Sequence, residues 1–217
     1  MLSKVANRTE PSAVLRANPI IAVLRAADAR DYDGVVDTLA ANGIRSIELT
    51  LSTPGTFEHL PAMIERLGTD VEIGIGTIVT ADQARRAIDA GARYLVTPII
   101  NLEVIALAVR NAIPVFPGGL TPTELFSGWD AGATAVKIFP AETVGPQYGG
   151  HLRGPFPDIE FIPSGGVGLD DIPTWLKAGA VAVSLGGPLV GDALKGGSLD
   201  ALGERSRRAV DAAGSAR

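Results

Sequence analysis

Short apolar runs recur along the chain, at Ile20–Leu24, Ser46–Leu51, Val71–Ile75, Tyr94–Thr97, Pro114–Phe116, Ala135–Phe139, Glu160–Ile162 and Val181–Leu185. Their length suits strands, while the stretches between them carry apolar residues at helical spacing. Thr53-Pro54 reads as an N-cap followed by proline at the first helical position, and Thr80 with Gln83 and Thr121 with Glu124 read as capping boxes. Helix ends are marked by Asn42-Gly43-Ile44, Ala90-Gly91-Ala92, Ala131-Gly132-Ala133 and Ala178-Gly179-Ala180, where glycine suits the left-handed conformation just past a helix C-terminus. These marks stand roughly 40–50 residues apart, room for two strand–helix units each. Strands alternating with helices imply a parallel sheet, and eight of them predict a compact (β/α)8 TIM barrel in a single domain rather than an open doubly wound sheet. The expected division is a helical segment at residues 1–18 packing on the bottom of the barrel, the barrel at 19–211, and a fraying tail at 212–217.

Composition narrows the function. A chain of 217 residues with 46% hydrophobic content can bury one substantial core. The net charge of −5 lacks the dense basic patch that nucleic acid requires. There is no cysteine, so disulfides, thiolate metal sites and a cysteine nucleophile are excluded together. No apolar signal-peptide core occupies the first residues and no run of eighteen apolar residues could span a bilayer, so the expectation is a cytoplasmic protein without membrane partners.

Barrel enzymes place their chemistry on the C-terminal ends of the strands. Along Ala135–Phe139 the residues alternate, so Ala135, Lys137 and Phe139 share one face and Val136 and Ile138 the other. The aliphatic pair suits the helix layer, which turns Lys137 inward; the same reasoning sends Ile47, Leu49 and Leu51 outward and Glu48 inward. The lysine could be half of a buried ion pair or could snorkel out of the barrel mouth, but a buried pair is a poor stabilising device. Burial disfavours the ammonium form, and a downward shift of about three pKa units corresponds to roughly 4 kcal/mol between protonation states. A neutral amine beside a proton-moving group is what Schiff-base catalysis requires. Glu48 is the natural acid/base and Phe139 supplies apolar surface. The metal-assisted alternative needs several histidines and carboxylates; only His59, in the helix expected after strand two, and His151, near the helix expected after strand six, occur, so a histidine-rich zinc site is excluded and no cofactor is expected. Ser164-Gly165-Gly166 and Leu185-Gly186-Gly187 end the last two strands, where backbone N–H groups often bind phosphate. Arg25 and Thr77 could hold a carboxylate or an oxyanion.

Ile47-Glu48-Leu49-Thr50, Gly74-Ile75-Gly76-Thr77, Thr97-Pro98, Val136-Lys137-Ile138-Phe139-Pro140-Ala141 and Ser164-Gly165-Gly166-Val167 resemble, in order and spacing, the 2-keto-3-deoxy-6-phosphogluconate / 4-hydroxy-2-oxoglutarate aldolases. The resemblance spans about Pro19 to Gly191. It implies a homotrimeric class I aldolase acting on a small keto acid, with Lys137 as the Schiff-base lysine and Glu48 as general acid/base. It also implies a pyruvyl pocket lined by Thr77, Pro98 and Phe139, and a phosphate end at Ser164, Gly165, Gly166, Gly186 and Gly187. Two positions depart from the pattern. Ser52 stands where the gluconate branch commonly has an arginine, while Leu24-Arg25 and Val144-Gly145-Pro146-Gln147-Tyr148 look more like the 2-keto-3-deoxy-6-phosphogalactonate branch. Pro188 stands where many relatives have a serine, so one phosphate donor is missing. A phosphate-barrel isomerase or epimerase using Lys137 only as a charge, and a non-catalytic sugar-acid binder, are the competing readings.

Overall fold

The computed structural model describes residues 8–216. Eight parallel strands alternate with helices: β1 (Ile20–Leu24), β2 (Ser46–Thr50), β3 (Glu72–Gly76), β4 (Leu95–Thr97), β5 (Val115–Gly119), β6 (Val136–Ile138), β7 (Phe161–Pro163) and β8 (Val183–Leu185). The order β7-β6-β5-β4-β3-β2-β1-β8 puts β7 and β8 at its two ends, and a parallel bridge between Ser164 and Ser184 brings those ends together. The predicted (β/α)8 barrel is therefore the fold. The helices are α1 (Ala13–Ala17), α2 (Tyr32–Ala41), α3 (Thr56–Leu67), α4 (Ala81–Asp89), α5 (Leu102–Arg110), α6 (Pro122–Asp130), α7 (Gln147–Arg153), α8 (Ile172–Lys177), α9 (Gly187–Val190) and α10 (Leu199–Gly214). None is long and apolar enough to cross a membrane.

Alternation along the strands divides the apolar residues into two cores. Ile47 and Leu49 of β2, Ile73 and Ile75 of β3, and Val136 and Ile138 of β6 belong to the outer cluster packed against the helices. The inner cluster is smaller and holds Leu15, Ile21, Tyr94, Val96, Phe116, Ala135, Ile162 and Ala182. Leu15 reaches it from α1, a helix whose N-cap Ser12 accepts a hydrogen bond from the Leu15 amide at 2.9 Å. Just before that helix, the Arg8 guanidinium lies 3.4 Å from the Trp129 ring centroid and donates to the Trp129 and Ala133 carbonyls. Leu15 of α1 is thus buried among the inward-facing strand residues; the first seven residues of the expected N-terminal segment lie outside the described residues.

Both capping boxes form, at Thr80 with Gln83 and at Thr121 with Glu124. The four helix-ending glycines, Gly43, Gly91, Gly132 and Gly179, all take positive φ, between 92° and 103°, which a side chain would resist. The predicted start at Thr53-Pro54 is corrected: α3 begins at Thr56 behind a left-handed Gly55. Thr53 has another task, accepting the Ala26 amide at 2.9 Å and so tying the loop after β2 to the loop after β1. β5 continues through Pro117-Gly118-Gly119, beyond the predicted Phe116, because those residues pair with Thr97, Lys137 and Ile138 on its neighbours. At the other end, α10 runs to Gly214 with Ala213 buried, past the residue 211 expected to end the ordered barrel.

Candidate active site

Glu48 projects from the inner face of β2 and is 2% exposed. The neighbouring β3 makes room for it by omitting side chains. Glu48 pairs in register with Gly74, and a Cβ built on Gly76 would fall 2.6 Å from Glu48 Cγ and closer still to Cδ and Oε1. Glu48 Oε2 is buried with no hydrogen-bond partner in the protein. Burial pushes the carboxyl above its ordinary value of 4.5, while the Lys137 and Arg25 charges pull it back. Desolvation of the charged form is the dominant cause of the upward shift.

Lys137, 8% exposed, stands on β6 between Gly118 of β5 and Ile162 of β7. Its Nζ lies 5.1 Å from the Phe139 ring centroid. None of the ion pairs among the described residues includes Lys137 or Glu48. The two sense each other electrostatically across the barrel without a 4.0 Å bridge. A clamped ion pair, one explanation for a buried lysine, is thus not what the structure contains.

The remaining sequence-predicted residues surround this axis at the C-terminal ends of the strands. Phe139 is 39% exposed at the mouth, and a Cβ on Gly165 would touch its ring at 3.0 Å, so glycine there lets the ring lie against the loop after β7. Gly118, the register partner of Lys137, lies so close to Pro98 that a Cβ would fall 2.8 Å from the Pro98 carbonyl carbon. Thr77, directly after Gly76, has φ of 60°. This left-handed conformation is rare for a β-branched residue and costs on the order of 1–3 kcal/mol. Arg25 is exposed after β1 yet acts on Glu48. Ser164 is buried and donates its hydroxyl to Ser184 at 3.3 Å. Gly186 and Gly187 face open space on the side where a Cβ would project. Gly165 and Gly166 both have positive φ.

Sequence reasoning missed several residues. Glu142 lies over Gly166, its carboxyl occupying the place of a Cβ there. The acidic residue just after Phe139-Pro140-Ala141 was the available signal, but only the return of the chain from β7 reveals what it covers. The contribution of Gly118 and the inward-facing Tyr94 and Glu72 were also missed. His59, on α3, is hydrogen-bonded to Asp33 at 2.9 Å, and His151 is exposed in α7, so both are helix residues. Among the described residues no group of three or more His, Cys, Asp or Glu could hold a metal ion.

Known proteins resemble this chain in sequence and in fold. The family model described as KDPG and KHG aldolase matches residues 12–204. The chain is 35% identical over 172 residues to the 2-dehydro-3-deoxy-6-phosphogalactonate aldolase of Escherichia coli K12, covering 79% of this chain and 84% of that one. It is 31% identical over 205 residues to the 2-dehydro-3-deoxy-phosphogluconate aldolase of Dickeya dadantii, covering 94% and 96%. Among solved structures, the KDPG aldolase of Legionella pneumophila, with pyruvate captured as a covalent carbinolamine, superposes with a TM-score of 0.84 at 29% identity over 93% of this chain and 98% of that one. This chain belongs to the KDPG and KHG aldolase family.

Proposed function

We propose that this chain is a class I aldolase that cleaves a 2-keto-3-deoxy-6-phospho sugar acid to pyruvate and glyceraldehyde 3-phosphate, and 4-hydroxy-2-oxoglutarate to pyruvate and glyoxylate. The observation that carries the reading is a buried, unbridged lysine and a buried carboxyl on the inner face of one barrel, the carboxyl shifted upward by burial and pulled back by the lysine's charge. Lys137 Nζ attacks the C2 ketone, whose oxygen takes a proton to give a carbinolamine; loss of water, with Glu48 supplying a proton, leaves the imine. The Glu48 carboxylate then takes the C4 hydroxyl proton as the C3–C4 bond breaks, and the bonding pair moves into the imine to form an enamine. The aldehyde departs, C3 receives a proton from Glu48, and water releases pyruvate from Lys137. Thr77 and Pro98 hold the pyruvyl carboxylate and methyl side, with Phe139 across the mouth. Ser164, Gly165, Gly166, Gly186 and Gly187 receive the distal phosphate. A homotrimer is part of the same reading, to be measured by light scattering.

Two features favour the galactonate-type substrate. Ser52 is exposed and hydrogen-bonded to Thr50 at 3.0 Å, so it supplies no cation. Arg25 carries a charge to the site from β1 instead. The Glu142 carboxyl over Gly166 and the lack of a hydroxyl at Pro188 both weaken phosphate binding and favour 4-hydroxy-2-oxoglutarate as a second substrate. Borohydride reduction with pyruvate, followed by peptide mass spectrometry, tests the chemistry. A pyruvyl-sized adduct confined to Lys137 is expected. Its absence from folded protein, under conditions that label a known class I aldolase, would sink the mechanism. The ratio of kcat/KM values for the two phosphorylated epimers and for 4-hydroxy-2-oxoglutarate then ranks the substrates.

A further inference from the structure

Below Glu48 the barrel contains a second set of polar groups that the proposed chemistry does not use. Tyr94, immediately before β4, is 1% exposed and points into the barrel. The register pairs Ile75 with Leu95, so Tyr94 and Gly74 lie side by side, and the tyrosine ring occupies the place a Gly74 side chain would fill. Gly74 is in turn the register partner of Glu48. Two adjacent inward glycines of β3 are thus covered from opposite sides, Gly74 by the Tyr94 ring and Gly76 by the Glu48 carboxyl. The Tyr94 hydroxyl has no hydrogen-bond partner in the protein, and neither does Glu48 Oε2. The Gly74 amide lies near the phenol without reaching hydrogen-bond geometry. Two buried polar atoms, one a donor and the other an acceptor, are left without partners at neighbouring positions.

A buried polar atom left unsatisfied is costly, and a water held between two or more such atoms satisfies them. We propose that Tyr94 is a positioning residue for Glu48, its hydroxyl donating through one buried water to Glu48 Oε2, fixing the carboxyl over Gly76 and favouring its ionised form. The inference rests on Glu48 as the proton carrier.

The charged and titratable groups around the pair are few. Lys137 from β6 and Arg25 from the loop after β1 act on Glu48; Glu72 from β3, together with Glu48 itself, acts on Tyr94. Glu72 is buried below Gly74 and accepts the Ser46 hydroxyl, which holds a negative group beneath the phenol. Burial first, then these two carboxyls, push the phenol well above its ordinary range, so it keeps its proton and remains a donor.

The test is solvent deuterium uptake into the methyl group of pyruvate, followed by NMR as a function of pH. This needs the Lys137 enamine and a base but no aldehyde, so it is independent of the sugar acid. The rate rises as Glu48 ionises. Tyr94→Phe keeps the ring over Gly74 and removes only the hydroxyl; its acid limb is expected to move up by about one pH unit, a roughly tenfold lower rate on that limb. The high-pH plateau should hold. Glu72→Gln, which removes the charge beneath the phenol and makes it a stronger donor, should move the limb slightly the other way. A merely packed tyrosine would change the melting temperature and leave the limb in place. Lost exchange in Glu48→Gln with unmoved limbs in both Tyr94→Phe and Glu72→Gln overturns the role of Tyr94 alone. Retained exchange in Glu48→Gln removes the Glu48 assignment and the proposal with it.

Discussion

The substitution Gly76→Ala places one methyl group against the proposed acid/base without altering any titratable group. Gly76 lacks the positive φ that would forbid alanine, so the effect is one of space. The added Cβ would lie 2.6 Å from Glu48 Cγ, against about 3.5–4.0 Å for an unstrained carbon–carbon contact. Glu48 must therefore retreat by roughly 1 Å, or the strands must part. A displacement of that size at a reacting group costs about 10²-fold in rate, equivalent to roughly 2.7 kcal/mol of transition-state stabilisation. Overpacking a filled interior costs a further ~1–3 kcal/mol of stability, about 2–12 °C in melting temperature for a domain of this size. Pyruvate release, coupled to its reduction, gives kcat/KM, and circular dichroism gives the melt. The borohydride adduct on Lys137 should persist, because the lysine is untouched. Gly150→Ala is the control: it lies in α7 with nothing within 4 Å of the added methyl, and activity and fold should be unaffected. Wild-type kcat/KM with an unchanged melt in Gly76→Ala would show that the Glu48 carboxyl does not depend on this gap.

Three further outcomes follow from the same contacts. Because burial raises the Glu48 pKa above 4.5, the folded chain retains a proton that the unfolded chain has lost as pH rises from that value towards the folded one, and stability falls across that window. Glu48→Gln should therefore melt above wild type at pH 7, by a margin that shrinks as pH falls towards 4.5; a margin constant with pH contradicts the burial argument. Thr77→Gly removes a left-handed β-branched residue, which costs about 1–3 kcal/mol, but adds about 0.5–1 kcal/mol of chain entropy to be lost on folding. Its melt should be equal or higher while pyruvate release falls, and a clearly lower melt speaks against strain at this position. Arg25→Ala withdraws a charge that lowers the Glu48 pKa, so the acid limb of kcat/KM should move to higher pH and KM for an anionic substrate should rise most at low salt; an unmoved limb and KM place Arg25 outside the site.

The barrel was readable because period-two apolar runs and glycine-marked helix ends are local signals, set by residues a few positions apart. Lys137 and Glu48 were readable for the same reason, each being the polar exception on an apolar strand face. The site's walls were not. Gly74-Ile75-Gly76-Thr77 reads as a strand running into a turn, yet the glycines are shaped by side chains from elsewhere: Tyr94 fills the space at Gly74 and Glu48 the space at Gly76. Gly118 likewise answers to Pro98, and Gly166 to Glu142. A glycine that accommodates its own backbone turn announces itself by its neighbours in sequence, as Gly43 and Gly91 do; one that accommodates a side chain from another strand cannot. The start of α3 failed on the same principle, since Thr53 satisfies Ala26 across the loops instead of capping the helix that follows it. Local periodicity specifies where a barrel strand lies and which way its side chains face. The volume left for the Glu48 carboxyl is a property of β2 and β3 together, and Gly76→Ala, changing one strand while reading the response of another, measures that property directly.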